Sequence, residues 1–250
     1  MQLIPLNQIP LVQPGDNLAR LVADASRAAD IVLADDDIVV LAQKIVSKAE
    51  GCQVRLSDVT PSPRAMELAI LTGKPDRLVE LILEDSTEVI RAKPGLLIVE
   101  HRLGFISANA GIDHSNVSPD PEIVLRLPTN PDASARAIRR QLAHITGATP
   151  PVLIVDSHGR PWRFGTVGVT IGLCGIAPVQ DLRGIPDLFG DPLEYTDVGF
   201  ADQIAAAASL VMGQAAEGCP AVIVRGLPFT ADENASAADV LRPKSLDVFR

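Results

Sequence analysis

Apolar positions along the chain recur with two periods. Compact runs rich in Val, Ile and Leu stand at 37–48 (DIVVLAQKIVSK), 95–100 (GLLIVE), 151–157 (PVLIVDS) and 220–226 (PAVIVRG), and each predicts a strand. Helical spacing marks 17–29, with Asp16 placed to cap it, and 132–145, where Ala, Ile and Leu interleave with Arg. Two shorter helices fit 64–72 and 76–85, separated by Gly73, Lys74 and Pro75. The Ala-rich segment 200–213 predicts a buried helix closed by Gly213. Between 159 and 192, glycines and prolines recur without a clean period, and loops are expected to dominate there. Strands and helices do not alternate steadily. The expected class is therefore α+β, with mixed or antiparallel sheets and packed helices rather than a doubly wound parallel sheet. A chain of 250 residues suffices for one large domain, built on a single core or as two interlocked subdomains.

One polar cluster interrupts this pattern. SANAGIDHSNV (107–117) puts Ser107, Asn109, Asp113, His114, Ser115 and Asn116 on a glycine-punctuated loop between two β-forming stretches. Asp156 and Ser157 follow the apolar run VLIV at what reads as a strand end, where a side chain enters a site while the backbone stays fixed. Aspartates with a hydroxyl, a carboxamide and water form an oxygen-rich shell suited to Mg²⁺ or Mn²⁺. The plainer alternatives are a cap or turn tie for Asp156 and an Asx-turn for Asp113. Lys48, ending the 37–48 run before Ala49, Glu50 and Gly51, is placed as a compact positive charge for a phosphate; otherwise it is a solvated lysine. Lys44, four residues earlier on the same run, reads as a surface residue. MGQAAEG (212–218) has glycines at both ends of a short turn, which either aims backbone N–H groups at phosphate or simply ends a helix. His114 and His158 read as hydrogen-bonding bystanders.

Composition narrows the function classes. Apolar residues reach 47% but aromatics only 3%, so aliphatic side chains must fill the core. No apolar run approaches the roughly 18 residues that cross a bilayer, and MQLIPLNQIPLV lacks the basic and continuous apolar regions of a secretory signal. Cys52, Cys174 and Cys219 are odd in number and far apart, which fits reduced thiols in the cytoplasm and neither a disulfide framework nor a zinc site. A net charge of −9 argues against nonspecific nucleic-acid binding. An anionic ligand would need local lysines, arginines or metal to overcome the overall field. The glycines of GTVGVTIGLCG match neither the phosphate-loop nor the dinucleotide signature, and HExxH, GxSxG and CxxC do not occur.

Longer stretches resemble the coenzyme F420-0:gamma-glutamyl ligase family. They are IPLVQPGDNL, LAQKIVSKAEG, GFISANAGIDHSN, LPTNPDASA, VDSHGRPWRFG, DLFG, ADQIAAAASLVMGQAAEG, VIVRGL and LRPKSLDVFR, in order along nearly the whole chain. The resemblance implies a GTP- and metal-dependent ligase with a family-specific α+β fold, working as a homodimer. The implied reaction joins L-glutamate, through its amine, to the lactyl carboxylate of coenzyme F420-0 by way of an acyl phosphate, releasing GDP and phosphate; further gamma-linked glutamates are an option. Carried over by position, Asp113, Asp156, Ser157 and Gln214 are the implied ligands of Mg²⁺ or Mn²⁺, two ions in all. The implied GTP contacts are Ile9, Pro10, Leu11, Val12, Gln43, Lys48, Asn116 and the turn Met212, Gly213, Gln214, Ala215, Ala216, Glu217, Gly218 and Cys219. No catalytic side chain is singled out, and His114 and Ser115 frame the loop.

Three positions depart from the commoner family pattern. His158 stands where an apolar residue is frequent, Gly168 where Asp is frequent, and Ser157 replaces Thr while keeping its hydroxyl. The first two bear on which tail and how many glutamates are accepted. The flavin-type domain fused to some relatives is expected to be absent. Small molecules are the expected partners besides a second copy of the chain, with no nucleic acid and no membrane. Two other readings stay open: a nucleotide-binding homologue without turnover, and a ligase for a different phospho-carboxylate.

Overall fold

The computed structural model describes residues 1–248; Phe249 and Arg250, the end of the LRPKSLDVFR stretch, lie outside the described residues. The first elements in chain order are β1 (Gln2–Pro5), α1 (Leu18–Ala28), β2 (Ile38–Ala42), α2 (Gln43–Ala49), β3 (Gln53–Arg55), α3 (Pro63–Thr72), α4 (Asp76–Glu84), β4 (Ser86–Lys93) and β5 (Leu96–His101). There follow β6 (Ile106–Ala108), β7 (Ile123–Leu125), α5 (Pro131–Thr146), β8 (Val152–Arg160), β9 (Arg163–Cys174), β10 (Gln180–Asp181), β11 (Asp197–Val198), α6 (Phe200–Met212) and β12 (Ala221–Arg225). The class is α+β. Among the described residues no helix is long and apolar enough to cross a membrane.

A mixed five-stranded sheet in the order β1-β12-β2-β8-β9 forms the centre, and within it only β2 and β8 run parallel. A strand covered on both faces needs apolar residues at every position, and β2 supplies them. Val39 and Leu41 enter a cluster with α1 and α5, while Ile38 and Val40 enter a second cluster with α6. All four are fully buried, which is worth about 1.5–3 kcal/mol for each side chain. The antiparallel sheet β4-β5-β6 has its own cluster, in which Leu97 and Val99 pack on Ala65 and Leu68 of α3 and on Val79 and Ile82 of α4. Caps set the helix limits. The Ser62 hydroxyl accepts from the Ala65 N–H at 3.2 Å, and Asn130 Oδ1 accepts from the Ala133 N–H at 3.0 Å.

Five expectations need correction. Asn17, not Asp16, caps α1: its Oδ1 accepts from the Arg20 N–H at 2.9 Å, while Asp16 ties back to the Gln13 N–H at 2.7 Å. The run 37–48 is not one strand but β2 followed at once by α2, because Ile45 and Val46 turn into the cluster beneath α1. A short apolar run does not by itself separate strand from buried helix. Lys48 accordingly sits in the last turn of a helix rather than at a strand end. The segment after 159 is strand as far as Cys174, with β8 and β9 forming a long antiparallel hairpin. Two of its glycines are close-approach sites: a Cβ at Gly168 would collide with the Ala205 carbonyl of α6, and one at Gly172 with Pro131 of α5. Asp156 therefore lies within β8, just past a register shift between Ile154 and Val155, where a bulge re-aims the strand.

Candidate functional site

Ala42 and Val155 are paired in register across the parallel β2/β8 ladder, so Gln43, just past the end of β2, and Asp156, within β8, stand at the same level. The crevice beyond the carboxyl ends of parallel strands is a common ligand position in open sheets. Here a cleft of about 870 Å³ opens between that level, the segment before α1, the polar loop and the turn after α6. Of the residues singled out above, Ile9 to Val12, Gln43, Lys48, Asn116, Asp156, Ser157 and Met212 to Cys219 all line it. Asp113 does not, but it contacts Gln43 and Lys44, which do.

The polar loop is pinned at Asp113. Its N–H donates to the Leu125 carbonyl at 2.9 Å and its own carbonyl accepts from the Leu125 N–H at 2.8 Å. The carboxylate Oδ2 accepts from Gln43 Nε2 at 2.7 Å and forms an ion pair with Lys44. The Ser47 hydroxyl donates to Gln43 Oε1 at 2.9 Å, which turns the amide NH₂ toward Asp113. Burial raises the Asp113 pKa above the usual carboxylate range. Lys44 opposes that rise, and the charge of Asp156 adds to it. Lys44 is thus no surface bystander.

On β8, the Ser157 hydroxyl donates to Gln214 Oε1 at 2.7 Å, tying the strand to the turn after α6. His158, two residues beyond Asp156 and so on the same face, donates from Nε2 to Asp156 Oδ2 at 3.0 Å. Its ring packs tilted against Phe105, centroids 5.0 Å apart, and Phe105 stacks on His101 at 4.8 Å. His158 therefore touches a candidate site carboxylate and is not a bystander. His114 remains loop framing, with Nε2 against the Pro121 carbonyl at 2.8 Å.

The turn 213–218 holds an anion of its own. Gly213 and Gly218 have φ of 73° and 68°, which only glycine adopts freely. The Glu217 carboxylate accepts from the Ala215 N–H at 2.7 Å and lies over Gly213, where a Cβ would collide with it. The N–H groups of Ala215, Glu217 and Gln214 hold the Glu217 carboxyl below the usual range. Across the cleft, Lys48 Nζ donates to the Asn116 carbonyl at 2.7 Å, and Asn116 Nδ2 donates to the Ala215 carbonyl at 2.7 Å. Burial first, and then the charge of Lys44, lowers the Lys48 pKa below the usual lysine range.

Chemically, Asp113, Asp156, Ser157 and Gln214 are a hard-oxygen donor set of the kind Mg²⁺ and Mn²⁺ take. Among the described residues no three His, Cys, Asp or Glu side chains converge, so a cation held here would complete its shell with the hydroxyl, the carboxamide and water. Two ammonium groups on α2 offer positive charge to an anion. Lys44 and His158 were read from the sequence as a surface residue and a bystander, and their contacts with Asp113 and Asp156 were missed. Both had a signal: four-residue spacing to Lys48 on a helix, and two-residue spacing to Asp156 on a strand.

A family model described as F420-0:Gamma-glutamyl ligase matches residues 7–226. A coenzyme F420:L-glutamate ligase of Methanothermobacter thermautotrophicus is 47% identical, covering 100% of this chain and 99% of that protein. Proteins of the same name from Methanopyrus kandleri and Archaeoglobus fulgidus are 44% and 39% identical, covering 98% and 100% of this chain and 97% and 96% of their own lengths.

Proposed function

Because the chain belongs to the F420-0:gamma-glutamyl ligase family, we propose that it joins L-glutamate, through its amine, to the lactyl carboxylate of coenzyme F420-0 at the expense of GTP. The observation that carries this is the meeting of Asp156, Ser157, Gln214, Lys44 and Lys48 around one cleft, with Asp113 in contact with its wall. A carboxylate oxygen of the deazaflavin substrate attacks the γ-phosphorus and GDP leaves, giving an acyl phosphate. The free amine of glutamate then attacks the acyl carbon, phosphate departs, and the nitrogen gives up a proton to form the amide. Lys48 would hold the polyphosphate beside the 213–218 turn, whose N–H groups Glu217 engages, and Asp113, Asp156, Ser157 and Gln214 would hold Mg²⁺ or Mn²⁺. Bound there, two such ions supply charge neutralisation and polarisation of the transferring phosphoryl group. The acidic balance of the chain makes that compensation necessary, since GTP adds several negative charges.

The experiment combines purified protein, the deazaflavin precursor, glutamate, GTP and Mg²⁺ or Mn²⁺, and follows phosphate release. Release that needs every component supports the reading. GTP binding without release marks a nucleotide-binding homologue, and release only with another phospho-carboxylate marks a different ligase.

A second copy of the chain is the proposed protein partner. The only Trp, the only Tyr and two of the five described Phe residues are exposed (Trp162, Tyr195, Phe164 and Phe189), in a chain whose aromatics are scarce. Exposed aromatic surface of this kind is what interfaces cover. Light scattering that gives a 26.5 kDa particle at micromolar concentration would rule the dimer out.

A further inference from the structure

Lys44 lies in the cleft without an assigned task. Its ammonium pairs with Oδ2 of Asp113, the oxygen that also accepts from Gln43. Its side chain is 29% exposed, so it is neither free in solvent nor sealed in the core. Lys48, one helical turn further along α2, lines the same cleft. Like charges at this spacing repel on a helix surface, and the pair is tolerated where negative charge faces it. Asp113 supplies that charge for Lys44, whereas among the described residues Lys48 donates to the neutral Asn116 carbonyl.

We propose that Lys44 is an exchangeable counter-ion: it holds Asp113 while the cleft is empty, yields that carboxylate to a divalent cation, and turns its ammonium to the phosphoryl oxygens of the nucleotide. The proposal rests on reading Asp113 as a cation ligand. Two donors crowd Oδ2, and a cation on that oxygen must displace one. Gln43 is buried and its amide is fixed by Ser47. Lys44 has a flexible four-carbon stem and room in the cleft to retreat. The same charge then has opposite effects on the two ligands. It competes with the divalent cation for Asp113, and it attracts a polyanion.

The test uses the full chain and two separate probes, Mn²⁺ alone followed by paramagnetic resonance, and inorganic triphosphate with chelator present followed by calorimetry. Lys44→Met should bind Mn²⁺ about tenfold more tightly and triphosphate about tenfold more weakly, the scale of one charge-assisted contact. Lys44→Gln, which keeps a donor toward Asp113 without the charge, should shift both affinities the same way as Lys44→Met and serves if that variant folds poorly. Lys44→Arg should leave triphosphate binding largely intact. A purely structural lysine would move both affinities together, so parallel losses, parallel gains or no change overturn the proposal. Asp113→Asn separates the premise from the inference. If it leaves Mn²⁺ affinity unchanged, Asp113 is not a ligand and the exchange falls with it. If it weakens Mn²⁺ binding while Lys44→Met does not strengthen it, the exchange alone is wrong.

Discussion

Lys48→Ala removes a cation whose contact is a neutral carbonyl, the Asn116 oxygen at 2.7 Å. A GTP phosphate would replace that carbonyl with a formal charge, and a charge-assisted contact of this kind contributes about 1.5–3 kcal/mol. The expected loss of GTP affinity is therefore about ten- to a hundredfold. Lys48→Arg should recover part of it, since a planar fork cannot occupy the same point as a compact ammonium. Burial and Lys44 lower the Lys48 pKa. Wild-type affinity should thus decline as pH rises toward the lysine range, where the cation is lost, and the decline should be smaller in Lys48→Ala. Lys93, exposed on β4, is the control in place of Lys44. Lys93→Ala should change affinity only by a small, salt-screened field effect. Titration calorimetry with GTP and Mg²⁺ on the variants reads the result. No loss at Lys48, or equal losses at Lys48 and Lys93, would refute the reasoning.

Three further outcomes concern stability. The buried His101 has its pKa pushed down from 6.5 to about 4, mainly by burial. The unfolded state therefore takes up a proton that the folded state refuses, and stability should fall by about 3 kcal/mol as pH drops from 6.5 to 4; denaturant melts of His101→Phe should lack that slope. Asp85 is 1% exposed and held by Arg126 Nη2 at 2.6 Å and Arg102 Nε at 3.1 Å. Asp85→Ala should cost about 3–5 kcal/mol in the same melts, as breaking a buried pair does. The Asp85 folded pKa is lowered, with the two arginines outweighing burial, so its contribution should be complete above about pH 4 and lost as pH falls through the folded value. Gly168→Ala should cost about 1–3 kcal/mol, because the new methyl meets the Ala205 carbonyl; an unchanged melting midpoint would count against that close contact.

Much of the core was legible because burial repeats with a fixed period. Ile38 and Val40 against Val39 and Leu41 follow from strand alternation alone, and Gly73, read as a break between two helices, closes α3 with a φ of 70°. Contacts made at long range were not legible. Nothing near Gly168 or Gly172 in the sequence says that α6 and α5 will press on them, so a strand looked like a loop. Lys44 looked like Lys48's idle neighbour because its partner, Asp113, is contributed by a loop far along the chain. Glu217 read as part of a phosphate-binding turn, yet the fold lets its own carboxylate occupy that turn's donors. Residue types pointed to the chemistry of the cleft, and only the folded chain indicates which groups already hold one another.

On the proposed reading, this cleft activates a carboxylate as an acyl phosphate and hands the acyl group to glutamate. The most direct test is a single turnover with coenzyme F420-0 whose lactyl carboxylate carries heavy oxygen, together with GTP, glutamate and Mg²⁺ or Mn²⁺, read by mass spectrometry of both products. The expected result is a deazaflavin product heavier by one glutamyl residue and one labelled oxygen in the released phosphate, with both signals lost in Asp156→Asn. Glutamyl product accompanied by unlabelled phosphate would contradict the acyl-phosphate route, and no glutamyl product at all would contradict the ligase.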